Sequence, residues 1–535
     1  MVQKCWAFVA GAALLLLQSA GMAAVNAPPN QMSKETKACI KCHTRRSPGI
    51  VEEWKKGRHA QKFVGCYECH KAEPGDPDAF PHQTKKKALR HTQISIIVSP
   101  KDCANCHEKE VKEFTDSHHA AAGRILGSMD NLLAEVVEGN LDMKTEGSPN
   151  GESAAVVNGC WQCHGTVVKV LTDPDTGKPT GALDPATWPN TGMGRFNPDG
   201  SNGSCTACHS RHRFSRVVAR QPETCGKCHM GPDHPQREIY KESKHGIAFR
   251  SLHDEMNMDA RKWVVGKHYS AAPTCATCHM SATREQEVTH DVGLRISWTN
   301  RPAISIRPEI TDAKLGLPGA DIKWDTRREN MKDVCTACHS ETFVDNFYVQ
   351  YDGLIELYNN KFGHPGMALK MAAGPLLKPI KFSNELDFIW FEIWHHEGRR
   401  ARHGASMMGP DWTHWHGTYE VGKHFYAKYI PKLQKLAKEN LKSEDPKKQE
   451  AAKKLAALID EVLNDKFVIK DKDGNPVMVT DQDGNEVELV SRGHKWYIDK
   501  MDAEEQAARA EEIRKFNERY GSAAKETSTG LGGGK

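Results

Sequence analysis

Apolar residues recur at helical spacing mainly in the last third of the chain. In FSNELDFIWFEIWHHEGRRARHGASMMG, Phe388, Phe391 and Trp394 recur three residues apart, which predicts a helix with one apolar face. The segment WTHWHGTYEVGKHFYAKYIPKLQKLAKENL repeats this spacing, and EDPKKQEAAKKLAALIDEVLND continues as a charged amphipathic helix. We therefore predict a C-terminal helical region over residues 346–465.

The pattern changes again after residue 465. KDKDGNPVMVTDQDGNEVELV repeats a D-G-N turn between short β-rich pieces, which predicts a small hairpin. Its Asp residues resemble a calcium loop, but the spacing of an EF-hand is absent, so we favour turns. MDAEEQAARAEEIRKFNERYG predicts a terminal helix, so that hairpin and helix together occupy residues 466–520. Residues 521–535 predict a disordered tail.

The first 27 residues have the pattern of a secretory signal peptide. Lys4 precedes an apolar run from Trp6 to Leu17, and small residues follow around Ala23 to Ala27, which predicts cleavage between 23 and 27. An uncleaved membrane anchor is the alternative, although the run is short for a membrane span. No later stretch approaches that length. We therefore expect an exported chain, soluble after cleavage, in the periplasm or an equivalent extracytoplasmic compartment.

Composition indicates that something other than side chains fills the interior. Only 38% of the 535 residues are hydrophobic and 7% aromatic, which is low for a large compact protein. Sixteen of the 17 cysteines form eight C-x-x-C-H motifs, and Cys5 is left over. The paired cysteines are Cys39, Cys42, Cys66, Cys69, Cys103, Cys106, Cys160, Cys163, Cys205, Cys208, Cys225, Cys228, Cys275, Cys278, Cys335 and Cys338.

Each motif has the chemistry of c-type haem attachment. Two thiols form thioethers to the haem vinyl groups, and the adjacent His coordinates iron from one side. Neither zinc sites nor disulfides require a His after every pair. The eight motif histidines are His43, His70, His107, His164, His209, His229, His279 and His339. We therefore predict eight c-type haems and a mainly α fold, with a haem-packed body over residues 28–345.

The formal charge of +4 does not indicate nucleic-acid binding. Eight haems would add about 16 propionates, so the holoprotein is expected to be mildly acidic.

Nineteen histidines remain to serve as second axial ligands. Low-spin electron-transfer haems usually take two axial ligands, most often His–His or His–Met. For any single histidine, the alternative is an ordinary surface or hydrogen-bonded side chain. The candidates are His59, His91, His118, His119, His212, His245, His268, His290, His396 and His416.

The sixth motif carries an acid and an imidazole side by side. In CGKCHMGPDHPQ, Asp233 and His234 follow the motif histidine His229 by four and five residues. Pro232 and Pro235 would hold the pair in a fixed turn. Such a pair suits proton transfer close to iron. The alternative is a turn Asp with His234 as a distal ligand.

Together these motifs resemble the octahaem hydroxylamine oxidoreductase family, which includes the hydrazine dehydrogenases of anaerobic ammonium oxidisers. The resemblance rests on eight C-x-x-C-H sites with CWQCH fourth, CGKCHMGPDHPQ sixth and APTCATCHM seventh, and it runs from about Cys39 to near Ile430. The last five motifs are also similar to pentahaem cytochrome c nitrite reductase, whose catalytic motif typically has Lys in place of His. Here that position keeps His164.

The resemblance implies a function. The fourth haem, with His164, would be catalytic, and Asp233 and His234 would accept protons while seven bis-His haems carry electrons. In oxidative members, a tyrosine from a neighbouring subunit of a trimer is bonded to the catalytic haem. Tyr419, Tyr426 and Tyr429 are candidates here, and we favour Tyr426.

The expected reaction is oxidation of hydroxylamine to nitric oxide or nitrite, or of hydrazine to dinitrogen. The expected electron partner is a soluble cytochrome c or a quinone-linked protein. In an anaerobic ammonium oxidiser, the compartment would be the anammoxosome lumen. The alternatives are a reductive relative that acts on nitrite and a non-catalytic electron carrier.

Overall fold

A computed structural model describes residues 27–73, 75–82, 89, 92–139, 141, 143, 152–301, 303–481, 483–498 and 501–520. Three sets of predictions lie outside these residues: nearly all of the signal peptide, the candidate ligand His91 and the disordered tail. The boundaries of the domains also stay a prediction.

The region that carries the C-x-x-C-H motifs is built from short helices joined by loops. Several helices begin with a serine cap and others with a proline in the first turn, and helix Pro100–Thr115 has both, in Ser99 and Pro100. The α-helices are Lys34–Arg46, Pro48–Lys56, Arg58–Gln61, Cys66–His70, Pro100–Thr115, Gly127–Val136, Ala154–Asn158, Cys160–His164, Arg216–Arg220, Pro222–Gly226, Gln236–Glu242, Lys244–Ser251, Cys275–Met280, Pro308–Leu315 and Trp324–Thr336.

Strands are few and short. Three antiparallel pairs form among the described residues: Phe80–Pro81 with Gln93–Ile94, Val170–Thr172 with Pro179–Leu183, and Met478–Thr480 with Glu486–Glu488. The third pair is a hairpin in the segment with the two D-G-N turns, where Gly474 and Gly484 adopt the positive φ that such turns require. The fold is mainly α, as predicted.

The helices after the last motif include three of 18 residues each. The α-helices of this region are Glu341–Tyr358, His364–Ala373, Glu385–Phe391, Gly398–Ser406, Pro410–Thr413, Glu420–His424, Ile430–Asn440, Pro446–Leu463 and Ala503–Tyr520. Four π-helical segments interrupt them: Asn359–Gly363, Glu392–Glu397, His414–Tyr419 and Phe425–Tyr429. Segments of this kind are frequent at functional sites because they realign side chains along a helix.

These helices bury a hydrophobic core of their own. Ile430–Asn440 and Pro446–Leu463 pack against each other and against His364–Ala373. Their apolar faces meet at fully buried side chains that include Leu369, Ile393, Phe425, Leu433, Leu455 and Val462. No helix in the described part of the chain is both long and apolar enough to span a membrane.

Candidate haem sites and catalytic cluster

Local helical structure brings the reactive side chains of three motifs together. Motifs two, four and seven form the short helices Cys66–His70, Cys160–His164 and Cys275–Met280. Residues three and four apart lie on one helix face, so both thiols and the imidazole point the same way. This is the arrangement that a covalently attached haem requires.

The motifs also contact one another through their thiols. Four thiol pairs lie within hydrogen-bonding reach: Cys39–Cys66, Cys103–Cys205, Cys163–Cys228 and Cys225–Cys275. One cavity of about 1960 Å³ runs between motifs two to eight. These contacts place the first motif beside the second, the third beside the fifth, and the sixth beside both the fourth and the seventh.

Four motif histidines face a second imidazole at the separation expected for shared iron. Two imidazoles on one metal, with metal–nitrogen distances of about 2 Å, have ring centroids about 6 Å apart. The observed centroid separations are 6.2 Å for His59–His107, 6.2 Å for His119–His229, 6.4 Å for His209–His290 and 6.1 Å for His245–His339. The residues present therefore fit axial coordination of haem.

Hydrogen bonds orient two further motif histidines. The Nδ1 atom of His70 lies 2.8 Å from the carbonyl of Ser95, and Nδ1 of His164 lies 3.2 Å from that of Ala122. An imidazole held in this way presents Nε2 for coordination.

The other candidate ligands have varied surroundings. His118 pairs through Nε2 with the buried carboxylate of Asp312, and Nδ1 of His268 accepts from the Val264 amide at 2.8 Å. The pKa of His212 is lowered mainly by burial, and the nearby His70 lowers it further. His416 is half exposed and lies 3.5 Å from Asp411. His396 contacts the ring of Phe391. No motif partner is assigned to these five by ring separation.

His229 has two imidazole neighbours at 6.2 Å, His119 and His234. His234 follows His229 by five residues on the same turn, whereas a distal ligand must reach the opposite face of the haem. His119 comes from a distant segment and is half-buried, and burial lowers its pKa to about 3. His119 is therefore the better distal partner, which leaves His234 for another role.

Asp233 lies at the centre of a cluster beside the fourth motif. Its carboxylate is 3.5 Å from His234 Nε2, 3.7 Å from His395 Nδ1 and 3.5 Å from Arg399 Nη1. Asp233 and His234 occupy the turn before helix Gln236–Glu242, after Gly231 with φ +95°. Both side chains line the cavity with Cys163 and His164 of the fourth motif. The structure thus brings the predicted acid–imidazole pair to CWQCH.

Burial and the guanidinium group set the charge state of this cluster. Burial, helped by Arg399, lowers the pKa of His395 to about 2, so this imidazole stays neutral. Burial also lowers the pKa of Arg399 to about 10, which still leaves the guanidinium charged at neutral pH. Burial lowers the pKa of His164, and His234 lowers it a little further, whereas the Ala122 carbonyl and Asp233 partly oppose this shift. The charges of this cluster therefore act on the histidine of the fourth motif.

His395, Arg399 and Arg301 of this cluster were not predicted from the sequence. Arg399 donates to the carbonyl of Arg301 at 2.7 Å while its other amine faces Asp233. His395 and Arg399 come from HHEGRRARHG, a segment more than 150 residues beyond Asp233. One signal in the sequence could have indicated them: His395 and Arg399 are four residues apart and flank the predicted ligand His396. Only tertiary structure brings this helix to the sixth motif.

The favoured tyrosine lies inside its own chain. Tyr426 is 5% exposed, packs against Phe362 and Trp496, and its hydroxyl is 3.0 Å from His494 Nδ1. Tyr429 is fully buried, and Tyr419 is half exposed. The cross-link to a neighbouring haem stays a prediction, which this burial of Tyr426 does not favour.

Comparisons with known proteins agree with the motif geometry. A family model described as seven times multi-haem cytochrome CxxCH matches residues 198–361, and the model of cytochrome c554 and c-prime matches residues 102–184. A probable nitrite reductase–hydroxylamine oxidoreductase fusion protein of Kuenenia stuttgartiensis is 27% identical over 337 residues, or 57% of this chain. The chain is thus similar to multihaem c-type cytochromes and to a protein with a hydroxylamine-oxidoreductase part.

Two solved structures are also similar to this chain. A hypothetical multiheme protein is 28% identical with a TM-score of 0.64, over 76% of this chain and 97% of the other. A reducing HAO-like protein complex of Kuenenia stuttgartiensis gives a TM-score of 0.45 at 19% identity, over 79% and 85% of the two chains. The present chain spans 34% of the curated fusion protein. The matches to the family models support c-type haem.

Proposed function

We propose that this multihaem cytochrome carries eight c-type haems and acts on a small nitrogen compound at the fourth motif. The observation that carries the proposal is the Asp233 carboxylate, held between two imidazoles and a guanidinium beside His164. A carrier that only passes electrons needs no buried proton-exchanging groups at one motif. When bound, the fourth haem supplies an iron that takes the substrate nitrogen and accepts or donates electrons.

The residues of the cluster have distinct roles in the proposal. Asp233 and His234 exchange protons with the substrate, which suits groups that share one turn at 3.5 Å. His395 stays neutral and accepts or donates a hydrogen bond without adding charge. Arg399 holds the carboxylate in place from the opposite side.

Other residues would bind the electron-transferring haems. His59, His290, His119 and His245 are assigned as distal ligands of motifs three, five, six and eight, on the strength of the ring separations. His118, His212, His268 and His396 stay candidates for the remaining motifs. The thiol contact Cys163–Cys228 supports the sixth motif as the exit for electrons from the fourth.

The first candidate reaction is oxidation of hydroxylamine or hydrazine. Both substrates bear N–H bonds, and their oxidation releases protons that Asp233 and His234 would accept. The electrons would pass to a soluble cytochrome c or a quinone-linked partner. The family includes extracytoplasmic proteins, and we propose an exported protein that assembles as a homotrimer.

The second candidate is reduction of nitrite, and two observations favour it. The Arg399 guanidinium and the neighbouring Arg301 add positive charge near the fourth motif, which suits an anion better than a neutral substrate. Tyr426, moreover, is enclosed by its own chain. In this direction Asp233 and His234 would donate protons instead of accepting them.

Two assays with purified holoprotein separate these candidates. Oxidation predicts that hydroxylamine or hydrazine drives reduction of added cytochrome c. Reduction predicts that a reduced dye is consumed with nitrite, with formation of nitric oxide, hydroxylamine or ammonia. Activity in neither assay, together with eight six-coordinate low-spin haems and no cyanide binding, would overturn the proposal in favour of an electron carrier.

A further inference from the structure

A second cluster lies on the other face of the π-helical segment that carries His395. Glu392 and Glu397 are the first and last residues of this segment, Glu392–Glu397. A π-helix hydrogen-bonds residues five apart, so it brings these two carboxylates to one face. His424, the last residue of helix Glu420–His424, lies against that face. His395 leaves the segment on the side toward Asp233.

The three side chains are spaced like ligands of one metal ion. His424 Nδ1 is 3.4 Å from Glu397 Oε1 and 3.7 Å from Glu392 Oε2, and the three ligand atoms lie within 4.8 Å of one another. Tetrahedral bonds of about 2.0–2.1 Å set neighbouring ligand atoms about 3.3 Å apart. The observed separations need only small side-chain adjustments to reach that value.

Burial makes one of these carboxylates costly without a further partner. Glu397 is 4% exposed, and no hydrogen-bond donor among the described residues reaches its Oε2 atom. His424 Nδ1 is also buried without a hydrogen bond. A buried polar atom without a partner destabilises the fold unless something binds it. These two side chains lie 3.4 Å apart and their ligand atoms are grouped with one of Glu392, which points to a bound ligand.

The charges around this cluster favour a cation over an anion or a neutral ligand. Arg400 lies 3.4 Å from Glu397 and 3.1 Å from Glu420, so it is shared between two carboxylates, and Glu392 adds a third. Glu392 is 39% exposed on its side chain, which leaves a route for an ion to enter from solvent. One guanidinium therefore leaves a net negative charge at the cluster.

We propose that Glu392, Glu397 and His424 bind a divalent first-row transition cation, such as Zn²⁺ or Mn²⁺, that is separate from the haem irons. One imidazole and two carboxylates suit such borderline cations, and water would complete the coordination. The cation would fix the π-helical segment. His395 on the opposite face would thereby be held against Asp233.

Metal analysis of the holoprotein tests the proposal. Wild type and variants are incubated with Zn²⁺ or with Mn²⁺, desalted, and analysed for metal per chain by mass spectrometry. We expect about one ion per chain fewer in Glu397→Gln and in His424→Ala than in wild type. His253→Ala removes an exposed histidine that also lies beside a carboxylate, and it should retain the wild-type ratio. Equal ratios in all four proteins, or retention of neither ion by wild type, would overturn the site.

A second measurement covers the possibility that a buried substitution disturbs folding. Glu392 is partly exposed, so Glu392→Gln should keep the wild-type haem spectrum. Zn²⁺ or Mn²⁺ should raise the midpoint of thermal unfolding of wild type and shift that of Glu392→Gln much less. An equal shift in both proteins would contradict the site. Neither measurement depends on turnover, so failure here is distinguishable from failure of the proposed reaction.

Discussion

The motif-bearing body and the C-terminal helical region are stabilised in different ways. Helices in the body are mostly short, and its motif cysteines and histidines surround a cavity shared by seven motifs. The C-terminal region has helices of 18 residues and an apolar core of interlocking Leu, Ile, Val and aromatic side chains. The body has a smaller apolar core around Trp263, so we expect covalently attached groups to fill much of its interior, whereas the helical region depends on side-chain packing.

The largest effect is expected from removing one attachment site in the body. Cys225 and Cys228 contact thiols of the seventh and fourth motifs, so Cys225→Ala with Cys228→Ala would disturb three motifs together. We expect loss of folded holoprotein, measured as haem per chain and as cooperative thermal unfolding. A double variant with seven haems and the unfolding midpoint of wild type would show that the body does not need its haems to fold.

The next largest effect concerns chemistry at the junction of the two regions. Asp233→Asn keeps the size of the side chain but removes the proton-exchanging carboxylate between His234 and Arg399. We expect kcat to fall about 10²–10⁴-fold in whichever direction the protein works, with an unchanged haem spectrum. Asp254→Asn, at a fully exposed carboxylate, is the matched control. Equal loss in both variants would remove Asp233 from the catalytic cluster.

A substitution in the helical core should affect stability and leave the haems in place. Leu433 is fully buried among apolar side chains. Leu433→Ala should lower the free energy of unfolding by about 2–5 kcal/mol, because it removes buried methyl groups and leaves a cavity. Denaturant unfolding followed by circular dichroism measures this loss. Haem per chain should equal that of wild type, and a lower haem content would contradict the separation of the two regions.

The same contrast explains what could be predicted from the sequence. The motifs fix the chemistry locally, since C-x-x-C-H on one helical turn brings its ligands together without help from distant residues. Helical periodicity around Phe388 and Trp394 likewise reports a local property, and the structure has a helix there. The fold class and the haem motifs could therefore be predicted from the sequence.

The pairing of histidines that are far apart in the sequence could not be predicted in this way. His59 faces His107 and His290 faces His209 across loops of irregular length, so no periodicity indicates the partners. The π-helical segment changes the phase of the helix that carries His395, which ordinary helical spacing would not reveal. The burial of Tyr426 depends on His494, 68 residues later.

A pH-dependent loss of stability is expected in the helical region. Burial, with Lys361 nearby, lowers the pKa of the fully buried His494 to about 4. Below its usual pKa of 6.5 the unfolded chain binds a proton that the folded chain does not, so stability falls as the pH decreases from 6.5 toward 4. The loss reaches roughly 3 kcal/mol. Denaturant unfolding at pH 7 and pH 4.5 should show a smaller difference in His494→Asn; an equal difference would exclude His494 as a cause.

The smallest expected effect concerns Tyr426. It tests whether this side chain only packs inside its own chain or is also bonded to the haem of a neighbouring subunit. If the hydroxyl only hydrogen-bonds His494, Tyr426→Phe should cost about 1 kcal/mol of unfolding free energy. Denatured wild-type and variant chains should then both migrate as monomers. Tyr419→Phe, at a half-exposed position, should leave both properties unchanged. Wild-type chains that stay covalently joined after denaturation, and separate in Tyr426→Phe, would instead establish the cross-link to a neighbouring haem and favour the oxidative reaction.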